Sequence, residues 1–266
     1  MLNLGKEIRL ARLFNKESKR IVGVAMDHGI SQPAKGGLAR IRETIKAVVE
    51  AGADAVIINK GIVRNVFSEY AGSYTSIILK LVGATRTFPG RSVGIASPEE
   101  ALYYGADMGS AEFIINSKYE TQSFELISRL SGECERMGLP FMVHAYARGE
   151  LLAKEHHLDP EQLTLAVRAA VEIGADIVKT SYSGTIDGFR EILAVSPVPV
   201  VVAGGHARLG DKGFLEMIKE AITAGASGVM VGTNCWLNRN PAGMVRALIK
   251  IVHQNASVEE SIKELG

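Results

Sequence analysis

The chain has 266 residues, of which 47% are hydrophobic and 22% are charged, a composition typical of a folded globular protein and not of a disordered one. Its 30 Lys and Arg residues against 29 Asp and Glu residues leave a net charge of +1, so we expect no broad basic face for nucleic acid or for an anionic membrane. A small-molecule substrate is therefore the favoured partner.

Neither the N-terminal residues nor the cysteines indicate secretion. Charged residues such as Lys6 and Arg9 interrupt the leucines near the start of the chain, which therefore lacks the apolar core of a signal peptide. No apolar run approaches the roughly 20 residues that span a bilayer. Two cysteines, Cys134 and Cys235, are too few for a disulfide scaffold or a structural zinc site. We expect a cytoplasmic protein with no membrane-spanning segment.

Eight short runs of apolar, mostly β-branched residues predict parallel strands that are covered on both faces. In chain order they span residues 21–26, 55–59, 76–81, 112–116, 141–145, 177–180, 198–203 and 228–232. A weaker run at 93–96 is assigned to a connection. Helices are predicted between most of the strands, at residues 41–51, 124–137, 160–173, 188–194, 214–224 and 241–253. The stretch from 63 to 97 is the least regular.

One short sequence recurs where a helix gives way to the next strand. It reads Gly-Ala-Asp at 52–54, 105–107 and 174–176, and Gly-Ala-Ser at 225–227. Glycine suits the left-handed residue that ends a helix, so helix and strand alternate as in α/β proteins. Eight strands in a chain of this length predict a single (β/α)8 TIM barrel over residues 1–266, with an N-terminal helical extension at about 1–18. A doubly wound sheet is disfavoured because Met-Asp-His-Gly, after the first strand, is not a Gly-rich nucleotide-binding turn.

In such barrels the chemistry lies at the C-terminal ends of the strands, and unusual residues collect there. The candidates are Asp27 and His28 after the first strand, Lys60 after the second, Tyr146 and Arg148 after the fifth, Lys179 in the sixth, Gly204 and Gly205 after the seventh, and Gly232 and Thr233 after the eighth. Their side chains are expected to converge on one mouth of the barrel.

Lys179 is the most informative candidate because it interrupts an apolar strand. A buried ammonium costs several kcal/mol to desolvate unless it is paired or neutralised. A lysine driven toward neutrality is a nucleophile that forms a Schiff base with a ketone. The alternative is a structural lysine paired with a carboxylate such as Asp27. Lys60 could bind phosphate or point outward, and Lys80 is expected to be solvated or paired.

The other candidates each admit a chemical and a structural interpretation. Asp27 could relay protons or serve as the counter-ion of Lys179, and it also suits the start of a loop. Tyr146 could exchange a proton with a substrate hydroxyl, or it could be a buried ring whose hydroxyl group contacts solvent. Arg148 could bind a substrate anion or bridge to a carboxylate. His28 could orient Asp27 or pack beneath the site.

Two further kinds of site are considered. Gly204, Gly205 and Gly232 stand where barrels often bind phosphate through backbone N–H groups. His144 and His206 could join Asp27 or His28 around a divalent ion in a metal-dependent lyase.

The chain resembles the archaeal-type class I aldolases, the group that includes archaeal fructose-bisphosphate aldolase and 2-amino-3,7-dideoxy-D-threo-hept-6-ulosonate synthase. The shared motifs are Arg-Leu-Phe-Asn at 12–15, Met-Asp-His-Gly at 26–29, Lys-Gly-Ile-Val-Arg at 60–64, Asp-Ile-Val-Lys-Thr-Ser-Tyr at 176–182, Val-Val-Ala-Gly-Gly at 201–205 and Ile-Val-His at 251–253. The resemblance runs over nearly the whole chain and is nearer the heptulosonate synthase branch.

The resemblance implies a Schiff-base lysine at Lys179, a catalytic aspartate at Asp27 and a catalytic tyrosine at Tyr146. It also implies a reaction that needs no cofactor and no metal, and a ring-shaped homo-oligomer. In the synthase branch a ketose phosphate is cleaved at the lysine, and the retained fragment adds to aspartate semialdehyde in an early step toward aromatic amino acids.

Three departures from the family pattern concern phosphate binding and the loop after strand five. Thr233 stands where the family usually has arginine, His206 and Ala207 replace a Pro-Lys pair, and Ala147 replaces a proline. The lost guanidinium removes a bidentate phosphate partner, for which Arg208 could compensate. The sequence thus predicts a lysine aldolase or transaldolase with an altered phosphate site. The alternatives are fructose-bisphosphate aldolase, a metal-dependent lyase and a barrel without catalysis.

Overall fold

The strands close into a barrel because the last pairs with the first. The computed structural model describes residues 3–204 and 209–266. Its strands are β1 (Ile21–Ala25), β2 (Ala55–Ile58), β3 (Ser76–Ala84), β4 (Ser92–Gly94), β5 (Met108–Ile115), β6 (Phe141–Ala147), β7 (Ile177–Thr180), β8 (Val200–Ala203) and β9 (Gly228–Val231). Every strand except β4 is parallel to both of its neighbours, and β1 pairs with both β2 and β9. The predicted (β/α)8 barrel is confirmed.

The short strand β4 does not belong to the barrel wall. It pairs only with β3, antiparallel, with Val93 opposite Gly83. Its position matches the weak run at 93–96 that was assigned to a connection.

The helices are α1 (Leu4–Leu13), α2 (Ile41–Glu50), α3 (Lys60–Val66), α4 (Pro98–Tyr103), α5 (Glu120–Met137), α6 (Pro160–Glu172), α7 (Ile186–Ala194), α8 (Gly210–Ala224), α9 (Thr233–Trp236), α10 (Pro241–Gln254) and α11 (Val258–Ser261). The six predicted interstrand helices are present with small shifts at their ends. The short helices α3, α4, α9 and α11 were not predicted, although Ser97 and Glu100 form a capping box at the start of α4. No helix in the described ranges is both long and apolar enough to cross a membrane.

The recurring Gly-Ala-Asp sequence has a structural cause. Gly52 and Gly174 have φ values of +92° and +96°, which residues with a Cβ rarely adopt. The aspartate that follows accepts a hydrogen bond from the backbone at the start of the preceding strand, from Val22 N to Asp54 Oδ2 at 2.6 Å and from Phe141 N to Asp176 Oδ2 at 2.9 Å. These carboxylates therefore join neighbouring strands at the N-terminal end of the barrel.

Apolar side chains fill the lower half of the barrel interior. They come from alternate positions of the strands and are Ile21, Ala25, Ala55, Ile57, Ile78, Met108, Met142, Ile177, Val201 and Met230, joined by Leu13 from the end of α1. Because side chains alternate between the two faces of a strand, the next inward positions lie above this layer, toward the C-terminal ends. Those positions carry the candidate site.

The Asp54 carboxylate contacts two groups, the Val22 N–H and the His253 Nε2, which lies 2.9 Å from Asp54 Oδ2. Because Asp54→Ala would leave both groups without this partner, we expect it to lower the free energy of unfolding by about 1–3 kcal/mol. Urea denaturation followed by circular dichroism measures this change. Asp187→Ala, at a carboxylate whose side chain is 87% exposed, is the matched control. Equal stabilities of the two variants would contradict the strand-joining role of Asp54.

Candidate active site

A layer of polar and charged side chains lies directly above the apolar interior. It consists of Asp27 after β1, Lys80 on β3, Glu112 on β5, His144 and Tyr146 on β6, and Lys179 on β7. The strand register sets Glu112 opposite His144 and His144 opposite Lys179. The predicted convergence of Asp27, Tyr146 and Lys179 at one end of the barrel is thus present, and it includes three side chains that were not predicted to contribute to the lysine chemistry.

Lys80 lies at the centre of this layer and is 2% exposed. Its Nζ is 3.0 Å from Asp27 Oδ2, 3.7 Å from Glu112 Oε2 and 3.1 Å from His144 Nδ1. From the sequence we expected Lys80 to be solvated or paired. It is paired, but its position at the centre of a buried layer was not predicted. A signal was present, since Lys80 interrupts an apolar run just as Lys179 does.

Lys179 is equally enclosed but is not paired. It is 6% exposed, and its ammonium makes no hydrogen bond or ion pair within the described residues. Burial and the positive charge of Lys80 together lower its pKa to about 8, against the opposing effect of the Asp27 carboxylate. The alternative in which Asp27 pairs with Lys179 does not describe this structure, because Asp27 pairs with Lys80. A neutral amine is therefore accessible near neutral pH.

Asp27 is ionised and held from several sides. Burial alone would raise its pKa, but the charges of Lys80, His28 and Lys179 outweigh burial and lower that pKa. His28 Nδ1 lies 3.5 Å from Asp27 Oδ1, and its ring packs against Trp236 with 5.5 Å between centroids. Asn59 Nδ2 donates to the Asp27 carbonyl at 2.9 Å. The carboxylate is thus ionised and held in place at the mouth.

Tyr146 and Arg148 form a stacked pair at the top of β6. Burial raises the pKa of the Tyr146 hydroxyl, so the phenol is protonated. The guanidinium carbon of Arg148 lies 4.2 Å from the centre of the Tyr146 ring. Arg148 Nη2 donates to Glu112 Oε1 at 2.7 Å, so this arginine bridges to a carboxylate, one of its two predicted interpretations.

Lys60 is not brought into this layer. It is the first residue of α3, and its Nζ lies 2.7 Å from Glu100 Oε1 on α4. Its predicted substrate-binding role has no support from these contacts and stays a prediction.

The predicted phosphate-binding residues lie where β8 and β9 end. A Cβ on Gly204 would come within 2.6 Å of Asn234 Oδ1, and a Cβ on Gly232 within 2.6 Å of His28 Cε1. Both glycines therefore have a packing reason to lack a side chain. Thr233 begins the short helix α9 and is half-buried. Gly205 lies outside the described residues, as do His206 and Arg208.

Two side chains that could have bound a metal ion, Asp27 and His144, make other contacts in the structure. Asp27 and His144 both face the ammonium of Lys80, which repels a second cation. In residues 3–204 and 209–266 no three His, Cys, Asp or Glu side chains are grouped so that they could hold a metal ion.

Comparison with known proteins decides the family. The family model of the DeoC/LacD family aldolases matches residues 21–238. This chain belongs to the DeoC/LacD aldolase family. The aldolase is 33% identical to the 2-amino-3,7-dideoxy-D-threo-hept-6-ulosonate synthase of Halobacterium salinarum, over 100% of this chain and 98% of that protein. It is 35% identical to the 3-hydroxy-5-phosphonooxypentane-2,4-dione thiolase of Yersinia enterocolitica, over 98% of this chain and 87% of the thiolase.

A solved structure gives the same assignment. The structure of a Schiff-base-forming fructose-1,6-bisphosphate aldolase superposes on this aldolase with a TM-score of 0.84 and 30% identity, over 93% of this chain and 99% of that one. The protein is an enzyme of the class I aldolase type, in which a lysine amine condenses with a ketone.

We expect Lys80→Met to raise the pKa of Lys179 above its value of about 8, because it removes a neighbouring cation and leaves Asp27 free to pair with the Lys179 ammonium. Since the neutral amine forms above the pKa, modification of Lys179 in the wild type should be half-maximal near pH 8 and fall as the pH falls. Peptide mapping after treatment with an amine-reactive reagent, from about pH 6 to about pH 10, gives the profile.

The exposed Lys46 on α2 supplies the matched control for this experiment, and Lys46→Met should leave the Lys179 profile unchanged. Circular dichroism checks that Lys80→Met remains folded. A folded Lys80→Met variant whose profile coincides with that of the wild type would show that Lys80 does not govern Lys179.

Proposed function

We propose that Lys179 forms the Schiff base of this aldolase with the ketone of a phosphorylated ketose, and that Asp27 and Tyr146 move the protons. The proposal rests on one observation, which is that the two buried lysines differ in their charged neighbours. Lys80 has both carboxylates of the layer as neighbours, whereas Lys179 has no ion-pair partner among the described residues. A nucleophilic amine must be neutral, and Lys179 is the lysine whose pKa is lowered toward that state.

The first stage joins lysine to ketone. Neutral Lys179 attacks the carbonyl carbon, the carbonyl oxygen takes up a proton, and a carbinolamine results. The hydroxyl then receives the proton that Asp27 took from the amine and leaves as water. The product is an iminium, in which the nitrogen withdraws electrons from the adjacent carbon–carbon bond. Asp27 is suited to accept the proton that the amine loses, because Lys80 keeps its carboxylate ionised.

The second stage makes or breaks the carbon–carbon bond. In cleavage, the phenolate form of Tyr146 takes the proton of the hydroxyl beyond the scissile bond, and the electron pair of that bond moves into an enamine. In the opposite direction the enamine adds to an aldehyde whose oxygen receives a proton from Tyr146. The protonated resting state of the buried phenol supports the second direction, in which the tyrosine begins as a proton donor.

The substrate proposed is a ketose phosphate of the kind used by the heptulosonate synthase branch. The full-length match to the synthase of Halobacterium salinarum supports this branch, and the similarity to a fructose-1,6-bisphosphate aldolase supports the alternative. Thr233, in place of the family arginine, leaves the phosphate to the backbone of α9 and the segment that follows β8. Arg208 belongs to that segment but lies outside the described residues.

The setting of the enzyme is part of the proposal. We infer a cytoplasmic homo-oligomer that acts early in aromatic amino acid biosynthesis, as the synthase branch implies. Among the large apolar side chains that are exposed, Phe67 at 62% and Tyr103 at 82% line the same surface depression and support the oligomer. Sedimentation velocity is expected to show more than one subunit, and a monomer at micromolar concentration would contradict this part.

Borohydride reduction tests the chemistry. We expect a stable adduct on Lys179 after reduction with a ketone substrate, found by intact mass and peptide mapping. The panel comprises dihydroxyacetone phosphate, fructose 1,6-bisphosphate, 6-deoxy-5-ketofructose 1-phosphate and 3-hydroxy-5-phosphonooxypentane-2,4-dione. The ketone that gives the adduct identifies the branch. Lys179→Met should give no adduct and lose at least about a thousandfold in activity.

Lys46→Met controls for loss of a lysine at a site without chemistry and should form the adduct at the wild-type rate. An adduct that maps to Lys80, or full activity in Lys179→Met, would overturn the assignment of the Schiff base.

A further inference from the structure

A line of alternating charges crosses the mouth of the barrel and ends on Tyr146. Asp27 contacts Lys80 at 3.0 Å, Lys80 lies 3.7 Å from Glu112, and Glu112 accepts a hydrogen bond from Arg148 at 2.7 Å. Arg148 in turn covers the face of the Tyr146 ring. The two groups proposed to move protons, Asp27 and Tyr146, are thus the two ends of one connected chain of side chains.

Glu112 is the member of this line that has no assigned task. Its side chain is 20% exposed, so the carboxylate is mostly enclosed but not fully shielded from solvent. Burial would raise the pKa of Glu112, but Lys80 and Arg148 outweigh burial and lower it, so the group is a carboxylate. A carboxylate held at this position has two consequences, one for the tyrosine and one for the arginine.

The consequence for the tyrosine follows from geometry. A guanidinium over an aromatic face is attracted by the negative charge of the ring, and this attraction grows when the ring becomes a phenolate. Arg148 is held over the Tyr146 ring because its Nη2 also donates a hydrogen bond to Glu112 Oε1 at 2.7 Å. Nearly half of the Arg148 side chain is exposed to solvent, so without Glu112 the guanidinium would be free to turn away from the ring.

The consequence for the arginine follows from charge. An unpaired arginine at the mouth would be a binding site for phosphate or carboxylate. Here the guanidinium already has a carboxylate partner, and an anion that approached it would meet the negative charge of Glu112. Lys80 is likewise engaged by Asp27, so among the described residues of this layer neither cation is left for a substrate anion.

We propose that Glu112 is a positioning residue for the carbon–carbon bond step, which holds Arg148 over Tyr146 and, by neutralising Arg148, selects an acceptor aldehyde without net negative charge. The inference rests on the proposed Schiff-base function. In bond formation the enamine electron pair forms the new bond to the aldehyde carbon, the enamine nitrogen becomes an iminium, and the aldehyde oxygen takes the proton of Tyr146. The phenolate that remains, stabilised by Arg148, is reprotonated from water.

The test makes three separate measurements on the wild type and on the same set of variants. Labelling of Lys179 by borohydride, with the ketose that gives the adduct, reports the Schiff base. The rate of bond formation between that ketose and D-glyceraldehyde reports the later step. The ratio of kcat/KM for D-glyceraldehyde to that for D-glyceraldehyde 3-phosphate reports acceptor charge, because the two aldehydes differ only in the phosphate. Glu50→Gln, at an exposed carboxylate on α2, is the matched control.

We expect the wild type to favour D-glyceraldehyde. Glu112→Gln keeps an oxygen that accepts from Arg148 but removes the charge, so the ratio should shift by about tenfold or more toward the phosphorylated aldehyde. Glu112→Leu removes the hydrogen bond as well, and bond formation with D-glyceraldehyde should fall about tenfold. Labelling should not slow in either variant, because the negative charge of Glu112 raises the pKa of Lys179 and its removal favours the neutral amine.

Two results would overturn the inference while leaving the proposed function in place. One is a wild type that prefers the phosphorylated aldehyde and loses that preference in Arg148→Met, which would make Arg148 an anion site. The other is normal labelling, normal rate and unchanged preference in both Glu112 variants. Failure of every ketone to label Lys179 in the wild type would instead overturn the proposed function itself.

Discussion

The ion pair between Lys80 and Asp27, 3.0 Å apart inside the barrel, is the constraint on which the proposed chemistry depends. Two ammonium groups in one enclosed layer cannot both be charged without opposing charge nearby. Because Lys80 pairs with Asp27 and Arg148 pairs with Glu112, the charges balance without Lys179, and that second lysine, enclosed in the same layer, can lose its proton at low cost. Lys80 thereby lowers the pKa of the Asp27 carboxylate and, together with burial, the pKa of the Lys179 amine.

The barrel separates this polar layer from the parts that stabilise the fold. Below the layer, alternate side chains of the strands form an apolar interior that Leu13 of α1 helps to close. At the N-terminal end, Asp54 and Asp176 join neighbouring strands through backbone hydrogen bonds. The strands are thus fixed from below, and buried charges are tolerated above because their partners sit on strands that cannot shift relative to one another.

The fold and the central residues could be predicted from the sequence, because parallel strands and helix-ending glycines leave clear patterns. Lys179, Asp27 and Tyr146 were predicted together and lie in one layer, while their roles stay proposals. Glu112 was missed because the predicted strand began at that residue, whereas β5 begins at Met108 and carries Glu112 as an inward-facing position within the strand. Lys80 was missed although it interrupts an apolar run as Lys179 does, because an apolar run does not show which of its charged residues has a carboxylate within reach.

Arg148 shows a second limit of sequence patterns. Its position at the mouth suited both an anion site and a bridge to a carboxylate, and only the register of β5 against β6 shows that Glu112 lies within reach. The predicted phosphate site meets the same limit, since it depends on backbone N–H groups and on Thr233 and not on a side chain with a distinctive pattern. Spacing in a sequence does not specify which way such backbone groups point.

The most direct measurement is a crystal structure of the enzyme reduced with borohydride in the presence of the ketose that labels it. We expect continuous density from the Nζ of Lys179 to the former carbonyl carbon, with Lys80 still within hydrogen-bond distance of Asp27. Density that joins the ketose to Lys80, or a Lys179 paired with Asp27 beside a displaced Lys80, would contradict it.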